Sequence, residues 1–171
     1  MRKHKGFSLI ELLIVVAIIL IIAAIAIPNL MRARMAANDS SAAASERSVV
    51  TAEVGYIASY PTVGYTALAA LGGAAAPCVP APANGCLIDN NLAQNGTPAG
   101  SGKSGYSFAA IPGGAAAVGF NFYTTGTPLA NTTGTKAYCA GDDGVIRTQP
   151  PGNITLVASR VACFGLNPMN N

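Results

Sequence analysis

The sequence predicts an α+β chain: one long N-terminal helix, hydrophobic in its first half, packed on a C-terminal antiparallel β-sheet. Three observations carry this. Leu12–Ile27 is sixteen apolar residues without a break. No Gly occurs from Phe7 to Val54, and Pro28 is the only Pro there. After residue 105, β-prone segments alternate with Gly-, Pro- and Asn-rich turns. A length of 171 residues leaves room for one ordinary domain. Charged residues are 10% of the chain, against about 25% in a typical soluble domain. That argues against an ordinary cytosolic enzyme. The formal charge of +3 comes entirely from Arg2, Lys3 and Lys5, because residues 7–171 hold seven basic and seven acidic side chains. Such a chain has no global field to attract nucleic acid, and no specific nucleic-acid binding is expected.

Residues 1–6, Met-Arg-Lys-His-Lys-Gly, form a short basic leader. Residues 7–28 are expected to form a hydrophobic transmembrane helix. From Phe7 to Ile27 the chain would span roughly 31 Å as a helix, which matches a hydrocarbon core of about 30 Å. The basic leader should stay cytoplasmic and the C-terminal bulk be exported. Glu11 is the functional suspect, since a carboxyl near an apolar membrane segment costs a few kcal/mol (about 2.5–3.5 at a helix centre). Cutting between Gly6 and Phe7 would remove every leader charge and leave an amine on Phe7, about one helical turn from Glu11. Two blander readings stand beside this. Ser8-Leu9-Ile10-Glu11 fits a capping box at a helix start. Ala24-Ile25-Ala26 offers the small-x-small site of a conventional secretory signal, although the apolar run exceeds the usual length and Glu11 would be out of place in it.

Lys5-Gly6-Phe7-Ser8-Leu9-Ile10-Glu11-Leu12-Leu13-Ile14-Val15-Val16-Ala17-Ile18-Ile19, continued in Ala24-Ile25-Ala26-Ile27-Pro28-Asn29, resembles the class III signal of type IV pilins and type II secretion pseudopilins. The resemblance is dense over about thirty residues. Tyr60-Pro61-Thr62 and Asp143-Gly144-Val145-Ile146-Arg147 are similar to bacterial type IVa pilins. The resemblance implies the pilin fold, cleavage between Gly6 and Phe7 by a prepilin peptidase, and N-methylation of Phe7. It implies that Glu11 pairs with the Phe7 amine of a neighbouring subunit in a helical homo-polymer. It also implies an inner-membrane assembly platform and a cytoplasmic assembly ATPase as partners. The precursor would sit in the inner membrane and the product in an extracellular pilus, with adhesion and motility among its family roles. The alternatives are a pseudopilin of a type II secretion system and a secreted or membrane-anchored binding domain.

Residues 29–60 read as an amphipathic continuation of the helix, with Pro28 a kink or local break and Pro61 the stop. Met31, Met35, Ala42, Val49, Val50, Val54 and Ile57 are expected to face a sheet. Arg32, Arg34, Asp39, Glu46, Arg47 and Glu53 are expected outward or toward neighbours. Residues 61–171 are expected to form a globular head. Short helical turns are predicted at 66–71 and 87–93 within a loop-rich region. Strands are predicted at 106–111, 116–124, 136–140, 145–148 and, weakest, 154–158.

Four cysteines on the exported side make disulfides the default. Three connectivities are open, and Cys78–Cys86 with Cys139–Cys163 is the expected one. A zinc site lacks its ligand spacing, and the sole His, His4, lies in the leader. Asp142-Asp143 and Asp89-Asn90-Asn91 offer calcium-like oxygens but read better as turns. Sequons occur at Asn38, Asn95, Asn131 and Asn153. The chain has no phosphate-binding loop and no nucleophile elbow. No enzyme activity, cofactor or metal is expected.

Overall fold

The computed structural model describes residues 7–73, 77–113 and 121–169. Contacts divide the chain into two units, Met1–Arg34 and Met35–Asn171. One helix, α1 (Leu9–Ser59, 51 residues), contributes to both.

In the first unit α1 is built almost wholly from aliphatic residues. Every side chain from Phe7 to Ile22 is exposed. The best membrane-length window has a mean hydropathy of 3.3, and none of it is buried. α1 continues through Pro28 without interruption. Of the kink or local break expected at Pro28, the break is absent. The ring removes one backbone donor, but strong helix formers on both sides hold the register.

In the second unit α1 (from Met35) packs on short helices α2 (Leu68–Leu71) and α3 (Asn90–Ala93) and on a sheet. The strands are β1 (Tyr106–Gly113), β2 (Asn121–Pro128), β3 (Tyr138–Gly141), β4 (Arg147–Thr148) and β5 (Asn167–Pro168), with helix α4 (Arg160–Phe164) before the last. They form one antiparallel meander in chain order. In β1, Tyr106, Phe108 and Ala110 alternate inward, as a strand's two-residue period requires. They meet Ala42, Val49 and Tyr56 of α1 together with Phe122 and Tyr138. Ala42 and Ala43 are small enough to bring the helix close to the sheet. Tyr106 and Tyr138 lie 5.9 Å apart, and Tyr65 sits 4.5 Å from Phe122.

The strand expected at 116–124 is β2 from Asn121 on, and 116–120 lie outside the described residues. The strand expected at 154–158 is unpaired chain, where only Val157 is buried. The sheet is instead completed by β5, which sequence reasoning missed. Ser159 caps α4 by accepting from the Ala162 N–H, and this turn carries the chain back to β4.

The expected orientation of α1 needs correction. Ala42, Val49 and Val50 are buried, and Met35 and Ile57 half-buried, but Met31 and Val54 are exposed. Arg32, Arg34 and Arg47 are exposed as expected. Glu46 and Glu53, expected outward, are both 0% exposed, and Asp39 is half-buried. The reason is angular. Successive helical residues turn by about 100°, so positions seven apart nearly eclipse. Asp39, Glu46 and Glu53 thus share one face with Ala42, Val49 and Tyr56, and Val54 is rotated off it.

Candidate functional site

The start of α1 holds the sequence-predicted assembly residues. Phe7 is 77% exposed. The Ser8 backbone N–H donates to Glu11 Oε2 at 3.0 Å, and the Leu12 N–H donates to the Ser8 carbonyl at 3.3 Å. Glu11 therefore closes one half of a capping box, satisfying an amide that the helix start leaves unpaired. Its carboxyl is exposed at the helix start. This leaves Glu11 able to accept from a further donor, such as a terminal amine. Gly6, on the other side of the expected cut, lies outside the described residues.

The four cysteines form two disulfides. Cys78–Cys86 closes a short loop, with Cα atoms 6.0 Å apart. Tyr56 Oη donates to the Pro82 carbonyl within that loop at 2.5 Å, tying it to α1. Cys139–Cys163 joins β3 to α4, and both residues are fully buried.

The aspartates with calcium-like spacing are committed elsewhere. Asp143 binds Arg147, and Asp142 binds Arg160 through two nitrogens. The two guanidiniums lie 4.5 and 4.3 Å from the centroid of the Phe164 ring. The Arg147 hydrogen bond holds the Asp143 carboxyl below its usual range. Asp89 caps α3 through the Leu92 N–H and meets Lys103 at 3.2 Å. Burial alone would raise its pKa, but those bonds lower it. Among the described residues no three His, Cys, Asp or Glu side chains converge as a metal site would require. Three sequon asparagines use their side chains within the fold, Asn153 by accepting from the backbone and hydroxyl of Thr155. Asn38 Nδ2 donates to the Thr133 carbonyl, and the Asn95 side chain bridges Ser107 and Phe108.

The row of acids along α1 is the feature that sequence reasoning missed. Asp39 accepts from Tyr106 Oη at 2.6 Å and from the backbone and hydroxyl of Thr135 at 3.0 and 2.5 Å. Burial, then this acid, pushes the Tyr106 phenol well above its ordinary value and that of Tyr138 up to about 12. Glu46 Oε2 accepts from Thr124 Oγ1 of β2, and Glu53 Oε2 accepts from the Thr66 N–H at 3.1 Å. The other oxygen of each glutamate is buried without a partner. Burial drives Glu46 up to about 8 and Glu53 up to about 7 against those single hydrogen bonds. The signal was the seven-residue spacing, which coincides with the phase of the apolar positions.

Comparison with known proteins bears on the start of α1. Residues 1–27 match the family described as the prokaryotic N-terminal methylation motif. The match is confined to the leader and the aliphatic first half of α1. It is similar, at 68% identity over 40 residues, to the type IV wide pilus major component PilA4 of Thermus thermophilus. It is also 47% identical over 51 residues to the type IV major pilin protein PilA of Myxococcus xanthus. These matches cover 23% and 30% of the chain, and 30% and 23% of the respective relatives. The chain thus spans less than a third of the curated relatives it matches. No solved structure matches it.

Proposed function

We propose that this chain is a structural, non-enzymatic subunit of an extracellular type IV pilus. It is made as a membrane-anchored precursor with its leader in the cytoplasm and its head exported. A prepilin peptidase cuts between Gly6 and Phe7, Phe7 is N-methylated, and the product polymerises into a helical filament. The observation that carries this reading is the aliphatic helix of the first unit, uncovered along its length, with a single acid at its start. The methylation motif and the two pilin relatives support it.

The physics favours assembly with a fixed stagger. Apolar side chains gain little on moving from lipid to a protein core, so hydrophobicity alone does not extract the subunit. An assembly platform and an ATPase supply that work in this reading. Glu11 supplies register. A carboxylate held in an apolar filament core without a matching amine costs several kcal/mol (about 3–5), so misaligned neighbours are penalised. Glu11 is in this respect a specificity device more than a net stabiliser.

The test is to shear the producing cells, collect long fibres, and sequence the N-terminal peptide of this chain by mass spectrometry. Fibres whose subunit begins at a methylated Phe7 are expected. A soluble product beginning at Asn29, or an uncut Met1, would overturn the reading.

A further inference from the structure

We propose that the packing of α1 on the head is a proton-dependent clasp: Glu46 and Glu53 are held as neutral carboxylic acids in the folded head, and the clasp weakens as the medium turns from acid to alkaline. The inference concerns the exported unit and does not depend on how the first unit assembles.

The argument starts from partners. Both glutamates are completely buried, and each has one oxygen hydrogen-bonded and one with no partner. No Lys or Arg among the described residues forms a salt bridge with either. An ionised carboxylate in that setting would be desolvated with neither a countercharge nor a full set of donors, which proteins avoid by keeping the proton. Asp39, on the same face, receives three donors instead of one. The site of Glu46 is fitted to the carboxyl group. A Cβ on Gly126 of β2 would stand 2.8 Å from Glu46 Oε1, and Phe108 of β1 covers the same space. A side chain at 126 would therefore press on the acid and on the Phe108 ring.

Among the described residues, the groups packed around the two glutamates bring no ion pair to either. β1 presents Phe108 to Glu46, and β2 presents Thr124 and Gly126. The titratable groups nearer the N-terminus of this face are Asp39, Tyr106 and Tyr138, which are engaged with one another. From the segment before α2, Thr66 and Tyr65 face Glu53. Burial, then Asp142, then Glu53 push the Tyr65 phenol upward. Asp142 is itself paired with Arg160. Arg47 is exposed on α1, off the buried face.

The sign follows from linkage. The unfolded glutamates lose their protons near the ordinary value of 4.5, whereas in the folded head Glu53 keeps its proton to about 7 and Glu46 to about 8. Across that window the folded state binds more protons, so stability falls with rising pH; it is flat below the window and flat again above it.

The test uses the full chain in detergent micelles, with thermal unfolding of the head followed by near-ultraviolet circular dichroism of its tyrosines. The midpoint of the wild type should drop as pH rises from about 5 to about 8 and then level off. Glu46→Gln and Glu53→Gln should each remove part of that drop, so that each variant matches the wild type in acid and exceeds it at the alkaline end. Parallel profiles for all three proteins would overturn the proposal. The wild type alone gives a second reading through the infrared stretch of protonated carboxyl groups. That band should persist at about pH 6, where ordinary glutamates are ionised, and vanish by about pH 9. Its absence at the lower pH would also overturn the clasp, whether or not the variants fold.

Discussion

The first unit and the second handle solvent in opposite ways. In the first, aliphatic side chains from Leu9 to Ile22 stand open, and the one acid lies at the exposed start of the helix. In the second, two acids lie at zero exposure among aromatic and aliphatic neighbours. One helix runs through both. The contrast shows that one secondary structure with one chemical group, a glutamate, performs two tasks. Glu11 is left open to a partner from outside. Glu46 and Glu53 are closed off with partners from their own chain. Only the first kind of acid can report on a neighbouring molecule.

Breaking the first unit should have the larger effect. Gly6→Arg is expected to block cleavage and hold the chain in the membrane, with loss of sheared fibres and an unshifted precursor band on gels. Glu11→Val is expected to leave membrane insertion and cleavage intact but to reduce fibre yield strongly, seen by comparing membrane and sheared fractions. Normal yield from either would remove the assumed division between the two kinds of acid.

Changes in the second unit should register as stability and not as processing. Replacing Cys139 and Cys163 together by serine should cost about 2–4 kcal/mol, read from denaturant unfolding. Tyr106→Phe removes a donor to Asp39 and should cost about 1–3 kcal/mol in the same assay, with cleavage unchanged. Smallest of all, Arg47→Ala should stay within about 0.5 kcal/mol of the wild type, because its side chain is exposed and makes no salt bridge among the described residues. A large loss there would mean that the outer face of α1 is not the passive side.

The two units were not equally legible from sequence. The helix of the first was plain because composition alone specifies it: an uninterrupted apolar run admits few other structures in lipid. In the head, the meander from Tyr106 onward and the helix end near Pro61 followed from turn residues and alternation. The buried glutamates were missed because residue type was weighed ahead of phase. The spacing Asp39, Glu46, Glu53 coincides with the core positions, and the partners that make burial tolerable, Thr66 and Thr124, are remote in sequence. Helix α4 and strand β5 were missed for a related reason. They have five and two residues of weak local preference, and they are held by a disulfide and by pairing with β4.

The Cys139–Cys163 bond encloses most of the exposed chain between β3 and α4, and both sulfur-bearing residues are sealed from solvent. A protease that nicked the open stretch around Pro150 and Gly152 would sever the backbone without releasing a fragment. The carboxyl-terminal piece would stay leashed to the sheet, so wear to the surface need not become loss of the subunit.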